Sequence, residues 1–273
     1  MNQIKNNYFD ESGWCLPSGS DRTFSQAPKW FYKLNAKELR NDNCLKRLNQ
    51  LIGDFPIAKV QKELDTIKSN LEDNTFYSNL TKGIALPFVL EKNEVKDIGY
   101  LIESEYLKKL STSFSHDFPE NHFKAILQDK TSLTNRLTIS EESGYQSFIN
   151  ELKKNWICGY YFPQALQEYD IESQRTKIKY LPRIENLGLT LSGPFEIISS
   201  CIGHPSLLID KDYYSPILCM SSVEHIDKRL ICCLKSYGPH LEFWCLSQML
   251  TADTYQVSEQ WSGGLTIYKS FTF

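Results

Sequence analysis

The feature that most constrains this chain is a regular apolar stripe in its first third. Five residues recur at alternating steps of three and four: Ile57, Val60, Leu64, Ile67 and Leu71. This spacing places all five on one side of a helix, and Pro56 before them suits its first turn. We predict a preceding helix over residues 36–52, capped by Asn35 and ended by Gly53. Residues 34–80 are therefore predicted to form a helical hairpin, whose stripe packs internally or receives a partner helix.

The remainder of the chain predicts an α+β fold. Up to about residue 175 helical patterns dominate, with buried strands expected at 83–90 and 156–162. From about residue 177, short apolar runs predict a mainly antiparallel sheet with two helices packed on it. Helices that precede strands, rather than alternating with them, are typical of α+β proteins. Residues 81–273 would form this α+β body, either as a separate domain or as one domain with the hairpin.

Several later elements are predicted with definite boundaries. Short helices are expected over residues 119–128 and 192–203, the second begun by Ser-Gly-Pro and ended by Gly203. A longer helix is expected over residues 223–237, because its apolar residues recur at helical spacing. Strands are expected over residues 177–181 and 206–210. A terminal hairpin would join residues 255–261 to residues 265–273 across a Ser-Gly-Gly turn.

The first 33 residues lack any periodic pattern but are rich in large aromatic side chains. An irregular segment of this length is usually either disordered or functional, and the aromatic residues argue against disorder. We expect residues 1–33 to dock on the body of the protein or on a partner. Aromatic side chains concentrate binding energy at interfaces, so four residues are predicted to bind a partner: Trp14, Trp30, Phe31 and Tyr32.

Composition excludes several classes of protein. With 41% hydrophobic and 23% charged residues, the chain is too apolar to be disordered. A net charge of −3 argues against a general nucleic-acid binder, and the basic cluster at 175–179 suits the solvent face of a strand. No apolar run approaches the length of a membrane span, and no secretory signal follows Met1. We expect a cytoplasmic protein, with export as an effector without a cleaved signal left open.

The eight cysteines do not have the spacing of a disulfide framework. We therefore expect reduced thiols, most of them buried as small apolar side chains. Cys15 is the candidate nucleophile, because it lies in an irregular segment beside a tryptophan. A thiol hydrolase or transferase would also need a histidine such as His240 and a carboxylate such as Asp227.

A second possible site is a zinc centre in the cysteine-rich C-terminal region. Five of the eight cysteines and three of the five histidines lie between residues 201 and 245. Zinc requires four such ligands in a tetrahedral arrangement. The candidate ligands are Cys201, His204, Cys219 and His225, but only the first two form a closely spaced pair. Packing in the core is the favoured interpretation, and no cofactor is predicted, with zinc as the alternative.

The sequence contains none of the familiar catalytic or nucleotide-binding motifs. Phosphate-binding glycine loops, the serine-hydrolase elbow, the zinc-protease helix motif and the calcium-binding EF-hand loop do not occur. The preferred hypothesis is therefore a protein-interaction or adaptor-type protein whose partner is another protein. The alternative is a cysteine-histidine enzyme with Cys15 as nucleophile, and the oligomeric state does not follow from the sequence.

Overall fold

The computed structural model describes residues 7–19, 21, 41–127, 131–167, 169–209, 217–247 and 261–273. The helices are α1 Asn41–Leu51, α2 Ile57–Glu72, α3 Ile98–Leu101, α4 Leu107–Asp117, α5 Tyr145–Leu152, α6 Ile171–Ile178 and α7 Pro194–Gly203. The strands are β1 Leu86–Leu90, β2 Phe123–Leu127, β3 Leu137–Ile139, β4 Trp156–Gln167, β5 Gly188–Leu191, β6 Ile217–Cys219, β7 Val223–His225, β8 Leu230–Tyr237, β9 His240–Ser247 and β10 Trp261–Phe271. A short π-helical turn, Ile102–Tyr106, joins α3 to α4.

The predicted α+β fold class is confirmed. Seven strands of the main sheet follow the order β1-β4-β10-β6-β8-β9-β2, and β5 pairs with β10 as the eighth. Most neighbouring pairs are antiparallel, but β10 with β6 and β2 with β9 are parallel, so the sheet is mixed. Strands β3 and β7 form a separate antiparallel pair. Among the described residues, no helix has the length and apolarity that crossing a bilayer requires.

The two N-terminal helices form, but their packing differs from a simple hairpin. In α2, Val60, Leu64, Ile67 and Leu71 are buried, and the helix packs on β4 and β10. Helix α1 packs mainly on α7. The apolar stripe is therefore covered by the protein's own sheet, which excludes a partner helix at that position. The predicted cap Asn35 and the first residues of the first helix lie outside the described residues.

Four of the predicted elements have a different structure. Residues 223–237 form β7 and β8 instead of a helix, and residues 123–127 form β2 instead of part of a helix. No strand forms at 177–181: residues 177 and 178 end helix α6, and residues 179–181 form the turn that follows it. Asp170 caps the start of α6 by accepting the Ser173 N–H at 2.6 Å. A short 3₁₀-helix replaces the strand expected at 206–210.

The error at 223–237 has a clear physical cause. Strand β8 is paired along its edges with β6 and β9, and its residues 230–234 are buried on both faces of the sheet. The strand therefore carries a continuous apolar run instead of an alternating one. Such a run fits a buried helix and a buried strand equally well. For the terminal hairpin, β10 confirms a strand, while most of the expected partner, residues 255–260, lies outside the described residues. Instead, β10 lies in the sheet centre against β4 and β5.

One large apolar core connects the sheet to the helices. It extends from Phe9 near the start of the chain to Phe271 near its end. A smaller cluster of Ile171, Cys219 and Ile231 lies apart from it. The N-terminal segment therefore contributes side chains to the same core as the last strand.

Candidate functional site

The part of the N-terminal segment that the structure describes forms a tight turn. Phe9 and Cys15 pair as an antiparallel bridge. Between them, Asp10 Oδ1 accepts the N–H groups of Ser12 at 2.8 Å and Trp14 at 3.0 Å. Gly13 has a φ of +83°, and a Cβ there would lie 2.9 Å from the backbone nitrogen of Gly83. The turn thus needs a glycine both for its backbone conformation and for its close approach to the body.

Backbone hydrogen bonds fasten this segment to the body. The Cys15 N–H donates to the carbonyl of Ala165 in β4 at 2.8 Å, and the Tyr8 N–H donates to Phe76 O at 3.2 Å. The Asn79 side chain donates to Phe9 O at 2.9 Å. Phe9 and Cys15 are 1% and 3% exposed. In its described part, the segment docks on the body, as expected.

A buried lysine holds the second half of the segment. Lys177 in α6 is 2% exposed, and its Nζ donates to Leu16 O, Ser18 Oγ and Asp21 Oδ2 at 2.7–2.8 Å. An ammonium group has three N–H donors, so this one is fully partnered. The Asp21 carboxylate balances its charge with only 7% of the side chain exposed. The alternating basic pattern at 175–179 predicted a solvent face for Lys177, and its anchoring role becomes apparent only in the helical fold of α6.

The surroundings of Cys15 suit packing better than nucleophilic chemistry. Burial raises the pKa of its thiol to about 12, although Lys177 acts in the opposite direction. The thiol is therefore protonated at neutral pH, whereas a nucleophile must be a thiolate. Tyr169 donates its hydroxyl hydrogen to the Cys15 carbonyl at 2.7 Å and thereby fixes the backbone at this residue.

The structure places the other two proposed catalytic residues elsewhere. His240 begins β9, where its ring stacks on His122 with centroids 3.6 Å apart and its Nδ1 accepts the His122 N–H. Asp227 lies between β7 and β8 and binds Arg229 through both carboxylate oxygens, which lowers its pKa to about 2. Neither residue is among the described neighbours of Cys15.

The four candidate zinc ligands are also separated. Cys201 is buried in the main core, while Cys219 belongs to the smaller apolar cluster. His204 ends α7, and burial lowers its pKa to about 4. In β7, His225 Nδ1 accepts the Asp227 N–H at 3.0 Å. Across the part of the chain that the structure describes, no three histidine, cysteine, aspartate or glutamate residues are arranged to hold a metal.

An open groove of about 620 Å³ lies between α6 and the β3–β7 pair. Both of its cations are paired with one carboxylate, and three further glutamates line the groove: Glu141, Glu142 and Glu172. Arg175 bonds Glu224 at 3.1 Å, and Lys228 pairs with the same carboxylate. Arg175 also donates to Ser221 O and Val223 O. The cations of the groove are thus engaged by Glu224 and by backbone carbonyls, and its lining carries more carboxylates than cations.

Large apolar side chains are exposed around the docked segment. We define the segment surface as Tyr8, Leu16, Phe76 and Tyr180. Leu16, Phe76 and Tyr180 are 48%, 36% and 67% exposed. The half-buried Tyr8 ring meets Phe76 edge-on, with centroids 5.8 Å apart.

Contacts beneath the segment surface hold its members near one another. The Leu16 N–H donates to Tyr8 O at 2.8 Å. Lys177, which binds the Leu16 carbonyl, accepts the Tyr180 N–H through its own carbonyl at 3.0 Å. The Tyr77 hydroxyl, next to Phe76, donates to Pro182 O at 2.6 Å. Of the predicted partner-binding residues, Trp14 is half-buried, while Trp30, Phe31 and Tyr32 lie outside the described residues.

Comparisons with known proteins add no assignment. No family model, no curated protein and no solved structure matches the chain.

Proposed function

We propose that this protein is a protein-binding module and that the segment surface is where its partner docks. One observation carries the proposal: Leu16, Phe76 and Tyr180 remain exposed around a segment that is itself firmly fixed. Aromatic and apolar anchors supply most of the binding energy of typical interfaces. The proposed partner is a different protein, and the proposed location is the cytoplasm, in keeping with the eight cysteines, none of which forms a disulfide.

The rigidity of the surface supports binding rather than incidental exposure. Leu16 is held through its own N–H and carbonyl groups, and the Phe76 N–H is bound by the Asn74 side chain at 2.9 Å. A surface that is ordered before binding loses little conformational entropy when a partner arrives. The enzyme hypothesis has weaker support, because Cys15 is a buried, protonated thiol with neither proposed partner beside it.

The test compares two double variants of the tagged full-length protein. Leu16→Asp with Tyr180→Asp places charges on the segment surface, while Tyr100→Asp with Ile226→Asp alters side chains of similar exposure elsewhere. Affinity purification with quantitative mass spectrometry should find a specific protein that copurifies with the wild type and the second variant. With the first variant, the amount of this copurifying protein should fall at least tenfold, because a charge buried in an apolar interface is strongly unfavourable.

Thermal melting must show that both variants are folded. Equal recovery of every copurifying protein by both variants would contradict the proposal. So would a surface that mediates only self-association, which light scattering of the purified wild type would reveal.

A further inference from the structure

Two cysteines lie directly opposite each other in the main sheet. Cys232 in β8 is paired with Cys245 in β9, in a register fixed by the two-residue turn between Tyr237 and His240. The Cys232 carbonyl accepts the Met220 N–H at 3.0 Å, on the side away from β9. The pair with Cys245 is therefore of the non-hydrogen-bonded type.

This pair type brings the two residues within the reach of a disulfide. Opposite Cα atoms in non-hydrogen-bonded pairs are about 4.5 Å apart. Disulfides span Cα separations of about 4.4–6.8 Å. The strand backbones would therefore need little movement to allow a bond between the two sulfur atoms.

The side chains are already directed at each other. Directly opposite residues place their side chains on the same face of the sheet, and these two are 2% and 3% exposed. The neighbouring Cys245 thiol and burial raise the pKa of Cys232. Both cysteines are reduced in this structure, and an oxidant reaches them when the hairpin opens locally.

A second cysteine pair provides an internal comparison. Cys219 in β6 lies opposite Cys233 in β8. The Cys219 thiol, however, donates to Ile217 O at 3.6 Å. Position in the sheet is thus similar for both pairs, but the Cys219 thiol is bound to a carbonyl of its own strand, whereas the Cys245 thiol acts directly on Cys232.

We propose that Cys232 and Cys245 form a reversible disulfide when the protein meets an oxidising small-molecule disulfide. One protein thiol loses its proton and attacks a sulfur of that disulfide, which releases one small thiolate and leaves a mixed disulfide. The second protein thiol then displaces the other small thiolate. Two protein thiols are oxidised, one small disulfide is reduced to two thiols, and the two protons neutralise the released thiolates. The proposal does not depend on the segment surface.

The experiment uses the full-length native protein and oxidised glutathione. After incubation, free thiols are alkylated under denaturing conditions, and intact mass and peptide mapping are recorded without reductant. In the alkylated sample, we expect two of the eight thiols to remain unmodified. In a sample measured before alkylation, the mass of the protein should be lower by about 2 Da, the mass of two hydrogens. The bridged peptide should join Cys232 to Cys245, and dithiothreitol should restore eight reactive thiols.

Variants and a denatured sample identify the source of the effect. Cys158→Ser should oxidise like the wild type, because Cys158 faces Val89 and Lys269 in the neighbouring strands, whereas Cys245→Ser should not form the bridge. Protein oxidised in urea should give mixed pairings, because the fold no longer selects one. Eight alkylated thiols, glutathione adducts alone, or a bridge between Cys219 and Cys233 in the native protein would each overturn the proposal.

Discussion

At the scale of single residues, Lys177 shows how burial changes the role of a charge. In the sequence it is one of several alternating basic residues at 175–179. In the structure its neighbour Lys179 is 39% exposed in its side chain, whereas Lys177 is 2% exposed and binds three oxygens of the N-terminal segment. No feature of the sequence distinguishes the two, because the difference arises from how α6 packs under the segment.

Lys177→Ala should destabilise the protein strongly. The substitution leaves the Asp21 carboxylate buried without its cation, and removing one partner of a buried ion pair costs about 3–5 kcal/mol. Urea denaturation should show a fall of this size in the free energy of unfolding. Lys179→Ala is the matched control and should change it by less than about 1 kcal/mol, because its pair with Glu142 is exposed to solvent. Equal effects would show that Lys177 does not anchor the segment.

At the scale of elements, the sequence predicted the correct secondary structure where an apolar pattern fits only a helix or only a strand. The stripe in α2 predicted a helix correctly because an alternating step of three and four suits no strand. The apolar run in β8 was ambiguous because both of its faces are buried. The docking of residues 7–19 was expected from the aromatic residues, but the turn that allows it depends on the contact between Gly13 and Gly83.

Gly13→Ala should loosen this turn. A side chain at a φ of +83° is strained, and its Cβ would lie 2.9 Å from the Gly83 nitrogen and 3.1 Å from Leu80 O. The left-handed conformation alone costs about 1–2 kcal/mol, and the contact adds to it. Hydrogen exchange of the Cys15 amide, which donates to Ala165 O, should accelerate at least tenfold.

Gly19→Ala provides the comparison for this variant. Gly19 also has a positive φ, of +60°, but a Cβ there would have open space around it. Its substitution should therefore leave exchange at Cys15 within about threefold of the wild type, because only local backbone strain is added. If both variants accelerate exchange equally, the close approach to Gly83 is not what fixes the segment.

At the scale of the whole molecule, the main apolar core joins residues that are far apart along the chain, from Phe9 to Phe271. Cys15, His240 and Asp227 were candidates for one catalytic site because of their residue types, but their positions in the fold decide which side chains meet. The same assembly buries two titratable groups in α7, at opposite ends of one helix. Glu196 near its start accepts hydrogen bonds from Gly193, Tyr145 and Thr266, and His204 caps its end.

These two groups should make stability respond to pH in opposite directions. Burial lowers the pKa of His204 from 6.5 to about 4, so between these values the unfolded chain binds a proton that the folded protein does not, and stability rises with pH. Burial raises the pKa of Glu196 from 4.5 to about 7, so the folded protein holds a proton that the unfolded chain releases, and stability falls with pH. From about pH 4.5 to 6.5 the two slopes cancel.

Substituting either group should expose the slope of the other. Relative to the wild type, His204→Gln should lose up to about 3 kcal/mol of unfolding free energy as pH rises from 4.5 to 6.5, and Glu196→Gln should gain a similar amount. Urea denaturation across this range measures both slopes, and comparing slopes removes any fixed cost of each substitution. The double variant should restore the wild-type slope, because neither buried group then titrates. Parallel profiles for all four proteins would show that neither group changes its protonation on folding.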